Sequence, residues 1–80
     1  MKKTIYRTEY RNLIEWLRRQ RSEKGFTQRD LAGILEWDNA TLARIETQER
    51  RLDIMEYMEI CKALTCDPHE GLRIISQPSN

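Results

Sequence analysis

Apolar residues recur at spacings of three and four along most of the chain, and residues of high β propensity never alternate with polar ones over a strand's length. That periodicity predicts helices throughout. Tyr10, Leu13, Ile14 and Leu17, with Trp16 widening the stripe, predict a first helix over 8–23, with Thr8 as a candidate N-cap and Gly25 as the stop. Thr27 followed three residues later by Asp30 reads as a capping box opening a short second helix, 28–35, whose apolar side is Leu31, Ala32, Ile34 and Leu35. Asp38 can cap a third helix, 39–47, in which Leu42 and Ile45 are the only large apolar residues. Most of that helix therefore faces water or a partner.

Residues 48–52 read as a charged connection, and Asp53 with Glu56 at N3 starts a fourth helix that runs through Leu64. Its expected buried stripe is Ile54, Met58, Cys61 and Leu64, with Tyr57 beside it. Met55, Met58 and Tyr57 have helical spacing, which suits core or interface residues and no cofactor box. Asp67-Pro68 supplies a cap and a first-turn proline for a fifth helix carrying Leu72, Ile74 and Ile75. The expectation is an all-α fold, a compact five-helix bundle forming one domain over 1–80, with 1–7 as an N-terminal extension and 76–80 as a frayed polar tail.

Composition narrows the function classes. Eighty residues leave room for one small core and no separate catalytic module. The chain is 39% hydrophobic and 34% charged, which fits a folded soluble domain and excludes disordered or fibrous classes. No apolar run approaches the roughly 20 residues that span a bilayer. The basic start, Met1-Lys2-Lys3, has no apolar stretch behind it, so a secretory leader is not expected and the location reads as cytoplasmic. Cys61 and Cys66, with His69 as the single histidine, make neither a disulfide framework nor a zinc ligand set, so both thiols are expected to pack as small hydrophobes. With no Gly-rich phosphate loop, no G-x-S-x-G and no paired carboxylates in an evident pocket, no enzyme, metal or cofactor is expected. Net charge is only +1, but residues 1–40 hold nine Lys/Arg against six Asp/Glu and residues 41–80 five against seven. Basic groups favour the first half.

Two short helices joined at Glu36-Trp37-Asp38 have the dimensions of a helix-turn-helix. The ordered residues go further: Leu17, Arg18, Arg21, Gly25, Phe26, Thr27, Gln28, Leu31, Ala32 and Leu35, then Leu42, Ile45 and Glu46, then Glu49-Arg50-Arg51-Leu52-Asp53, and finally Ala63-Leu64 and Asp67-Pro68. Over residues 10–75 this resembles the XRE family, the lambda-repressor and Cro-like helix-turn-helix proteins. The resemblance implies a sequence-specific DNA-binding transcriptional regulator, a repressor acting as a homodimer on a palindromic double-stranded operator and associated with the nucleoid.

It also implies residue roles. Asn39, Ala40, Thr41 and Arg44 match the positions that read base edges in the major groove, where Arg can bond guanine, Asn adenine, and a small methyl can meet thymine. Gln28 and Arg29, at the positive end of the second helix, match phosphate contacts, and Arg50 and Arg51 suit the same task. Arg21 and Glu46 match a structural pair tying the first helix to the third. Trp37 stands where the family usually has an aliphatic core residue. The family commonly places glycine where this chain has Glu36, Gln48 and Thr65; either these residues take a left-handed backbone at a cost on the order of 1 kcal/mol each, or the turns differ. Leu72, Ile74 and Ile75 offer more apolar surface than one face can hide, which points to a dimer interface. The rival class is a protein-binding module, an adaptor or an antitoxin pairing with a toxin, favoured by near-neutral charge and the acidic fourth helix with Asp53, Glu56 and Glu59.

Overall fold

The chain supplies its own helix starts. In a computed structural model that describes residues 7–77, five helices and no strands are present: α1 (Thr8–Glu23), α2 (Gln28–Leu35), α3 (Asn39–Glu46), α4 (Ile54–Leu64) and α5 (Pro68–Ser76). Residues 1–6 of the expected extension and 78–80 of the expected tail lie outside the described residues. Thr27 and Asp30 form a reciprocal capping box on α2, and Asp53 and Glu56 form another on α4. Asp38 accepts from the Ala40 N–H, and Asp67 from the His69 N–H ahead of Pro68. Each carboxylate satisfies an amide that the helix cannot. The exception is α1, where Thr8 is the first helical residue rather than the cap; Arg7 takes the cap position without a side-chain bond, and Glu9 supplies negative charge in the first turn. Two other ends also shift: Thr47 is the C-cap of α3, outside the helix, and Ser76 is the last residue of α5 rather than the start of the tail.

Helix ends follow one pattern four times. After α1, α2, α3 and α4, an i to i−3 amide bond and an i to i−5 bond close a Schellman motif around a left-handed residue. Only the first of these is glycine, Gly25 at φ +78°; the others are Glu36, Gln48 and Thr65, at φ 59°, 65° and 50°. The left-handed alternative is the one adopted at all three. Trp37, the residue after Glu36, donates its N–H to the Ala32 carbonyl and packs half-buried against the core.

The core gathers Leu13, Ile14, Trp16 and Leu17 of α1 with Leu31 and Ala32, Leu42 and Ile45, and Tyr57, Ile60, Cys61 and Leu64. α5 packs mainly along α1, and α2 against α3 and α4. The rotation of α4 corrects the expected stripe. Ile54 and Met58 are exposed, and the buried line is Tyr57, Ile60, Cys61 and Leu64. Residues 54, 55, 57, 58, 60, 61, 63 and 64 are all apolar, so periodicity alone permits either rotation. The Tyr57 hydroxyl, which donates to the Pro68 carbonyl, holds the helix in the observed one. Ile34 likewise lies outside the buried side of α2, because an eight-residue helix seated by Leu31, Ala32 and half-buried Leu35 turns position 34 to solvent.

Candidate nucleic-acid interface

α3 buries Leu42, Ile45 and, at its end, most of the Glu46 side chain, and leaves the face with Ala40, Thr41 and Arg44 at least partly open. Ala40, Thr41 and Arg44, related by three and four residues, share one outward face. Asn39 is exposed at its N-terminus, Ala40, Thr41 and the small Ala43 are half-exposed, and Arg44 is exposed. The four residues matched to base reading thus come together on one helix. Among the described residues the Arg44 guanidinium makes no hydrogen bond.

What orients α3 is a charged cluster at its far end. Arg21 Nε donates to Glu46 Oε2 at 2.7 Å and its Nη2 to Oε1 at 2.9 Å, a two-pronged pair whose side chains are only 12% and 7% exposed. The third arm of Arg21 donates to the Phe26 carbonyl at 2.7 Å, and Gln28 Nε2 donates to Glu46 Oε1 at 2.9 Å. One carboxylate therefore joins α1, the start of α2 and the end of α3. Gln28, matched to a phosphate contact, commits one of its two amide N–H donors to this cluster and keeps the other, a link absent from the local spacing. Arg29 is exposed beside it.

The segment after α3 is clamped to that helix: the Glu49 and Arg50 amides both donate to the Arg44 carbonyl, at 2.8 and 3.2 Å. Arg51 is exposed. Arg50 is held differently, donating from Nη1 and Nη2 to both oxygens of Glu56 at 3.0 and 2.8 Å. Its guanidinium holds the Glu56 carboxyl below the usual carboxylate range, and the carboxylate in turn raises Arg50. At the next residue but one, the Leu52 amide donates to Tyr10 Oη at 3.0 Å, fastening the segment to α1. The sequence marks Glu56 as a capping residue; its bond to Arg50, six residues back across the connecting segment, is not announced by any local pattern.

Leu72 and Ile75, each 42% exposed, border an apolar groove of about 230 Å³ with Leu52, Ile54 and Tyr57. Ile74, grouped with them on composition, is half-buried against the core.

Residues 15–72 match a family model described as a helix-turn-helix domain. Among solved structures, an XRE-family like protein from Pseudomonas syringae pv. tomato is similar at 35% sequence identity over 90% of each chain, with a TM-score of 0.80. No curated protein matches the sequence.

Proposed function

The chain belongs to the XRE family of helix-turn-helix proteins, DNA-binding regulators as a class, and from that premise we propose that it is a cytoplasmic, nucleoid-associated repressor that binds a palindromic operator as a homodimer. The observation that carries this reading is the single open face of α3, with Arg44, Thr41 and Ala40 side by side and Asn39 at its leading end. A helix seated by Leu42 and Ile45 and held through its Glu46 by Arg21 is a fixed rod with a free surface, of the size that a major groove admits. Arg44 and Asn39 read base edges, while Arg29, Arg51 and the N-terminus of α2 with Gln28 meet phosphates. The groove bordered by Leu72 and Ile75 is the surface for a second copy, and two-fold symmetry is the reason for a palindromic operator.

Anisotropy titrations on an operator selected from random DNA test the assignment. Arg44→Ala is expected to cost about 1 to 3 kcal/mol on the selected site and to relax preference at one base pair. Arg51→Ala is expected to weaken all sequences alike and lower the salt slope by about 1. Equal weakening of selected and random DNA by Arg44→Ala would make Arg44 a phosphate contact, and no measurable DNA binding would shift the reading to a protein partner. In light scattering, Leu72→Glu with Ile75→Glu should convert a dimer to a monomer; a parent that is monomeric at high concentration would remove the symmetric part of the proposal.

A further inference from the structure

Arg50 is the only arginine of the segment after α3 whose guanidinium is already occupied by a carboxylate. We infer that Glu56 is a brake on DNA affinity: its carboxylate competes with a DNA phosphate for Arg50 and repels that phosphate. This rests on the DNA-binding reading above and adds a residue that lies outside the helix-turn-helix itself, in the first turn of α4.

Three observations support it. The Arg50 amide is bonded to the Arg44 carbonyl, so Arg50 stands at the end of the helix proposed to enter the groove. The pair is two-pronged, and Glu56 is held in place a third time, its Oε1 accepting the Asp53 amide at 3.0 Å. Glu56 cannot swing away when DNA arrives without opening the capping box of α4. Finally, Arg50 is 42% exposed and Glu56 17%, so the guanidinium is reachable from solvent while the carboxylate sits behind it. A phosphate approaching Arg50 meets a cation already neutralised, with a fixed negative charge a few ångströms further in. Part of the near-neutral net charge thus has a location and a consequence: one of the few cations at this edge of the surface is cancelled at its source.

Glu56→Gln separates charge from structure. Glutamine at N3 keeps an oxygen for the Asp53 amide, so the capping box survives, while the negative charge is gone. Binding to a duplex of about 20 base pairs and arbitrary sequence is followed by anisotropy across a salt series, with circular dichroism confirming the fold of each variant. Glu56→Gln should tighten binding about three- to tenfold at low salt, the range expected for one unit charge a few ångströms from another in water. The salt slope should steepen by about 1, since one more phosphate is neutralised, and the gain should shrink as salt rises. In an Arg50→Gln background the same change should give a clearly smaller gain, because only the direct repulsion of the phosphate is then relieved. Unchanged or weaker binding by Glu56→Gln, with the parent binding the same duplex, overturns the brake and makes Glu56 a support that presents Arg50 to the phosphate. An equal gain in the Arg50→Gln background overturns the route through Arg50. If the parent does not bind the duplex at all, the DNA-binding reading itself fails, which is a different result from either.

Discussion

Glu36, Gln48 and Thr65 stand in left-handed backbone that costs side chains with a Cβ on the order of 1 kcal/mol, and Thr65 is the most strained because its branched Cβ crowds the turn. Its hydroxyl donates to the Leu64 carbonyl and accepts from Lys24 Nζ, bonds that are local or exposed and offset little of that strain. Thr65→Gly is therefore expected to stabilise the protein by about 1 kcal/mol and raise the melting temperature by about 4 to 8 °C. The opposite outcome, a lower melting temperature, would mean that the Thr65 bonds outweigh the strain. Arg21 and Glu46 make the second case at this scale. Removing either partner leaves a mostly buried charge, so Arg21→Ala and Glu46→Ala should each cost about 3 kcal/mol. The double variant should cost clearly less than their sum, and denaturant melts of all three decide whether the losses simply add. Arg21 and Glu46 were legible as a pair through family resemblance; the attachment of Gln28 to the same carboxylate was not, because a contact across 18 residues leaves no trace in local spacing.

At the scale of elements, starts were more legible than faces. Caps are short-range chemistry: Thr27, Asp38, Asp53 and Asp67 bond amides two or three residues away, so their meaning is written beside them. Which face of a helix is buried depends on its neighbours. Gly71 shows the difference. Within α5 a glycine should be unfavourable, yet a Cβ here would come within 2.9 Å of Leu13 Cδ1 and Trp16 Cζ3 and closer still to the Tyr57 hydroxyl. Its absence lets α5 lie against α1. Gly71→Ala should destabilise by about 1 to 3 kcal/mol through overpacking. Gly33, exposed in α2 with nothing within 4 Å of its would-be Cβ, is the internal control. Gly33→Ala should stabilise by up to about 1 kcal/mol, and thermal melts showing the same sign for both would contradict this account of α5.

For the whole molecule, the direction of the titration shifts defines a stability plateau. Glu9, Asp30, Glu56 and Asp67 are held below their ordinary values of 4.5, 3.8, 4.5 and 3.8, chiefly by bonds to backbone amides, and in Glu56 by Arg50. Their contribution is full above those ordinary values and is lost as pH falls through the lower folded ones. At the other end, burial raises Tyr10 and Cys66 and pushes the Cys61 thiol up to about 12 from 9.0. An acid raised in the folded state favours folding while protonated, so that contribution erodes as pH climbs above 9.0 toward 12. Urea midpoints should accordingly be flat between about pH 5 and 8.5 and fall on both sides. A midpoint that rises on acidification below pH 4 would show that the capping carboxylates do not carry the effect. Cys61 should also resist alkylation in the folded protein at pH 8, since its thiolate is scarce and its side chain buried.

Helix number, order and starts, and the free surface of α3, follow from the sequence by itself, because capping and apolar periodicity act between residues within one or two turns. The resemblance to the XRE family also marks Glu36, Gln48 and Thr65, which stand where that family commonly has glycine. The tertiary structure decided what those residues do with their backbone, which stripe of an almost wholly apolar α4 turns inward, and why α5 tolerates a glycine at its closest approach to α1. It alone turned Gln28 toward Glu46 and placed Glu56 on Arg50. These outcomes share one cause. Each depends on surfaces brought together by the path of the connecting turns, and that path is set by packing over the whole core rather than by any neighbour in the chain.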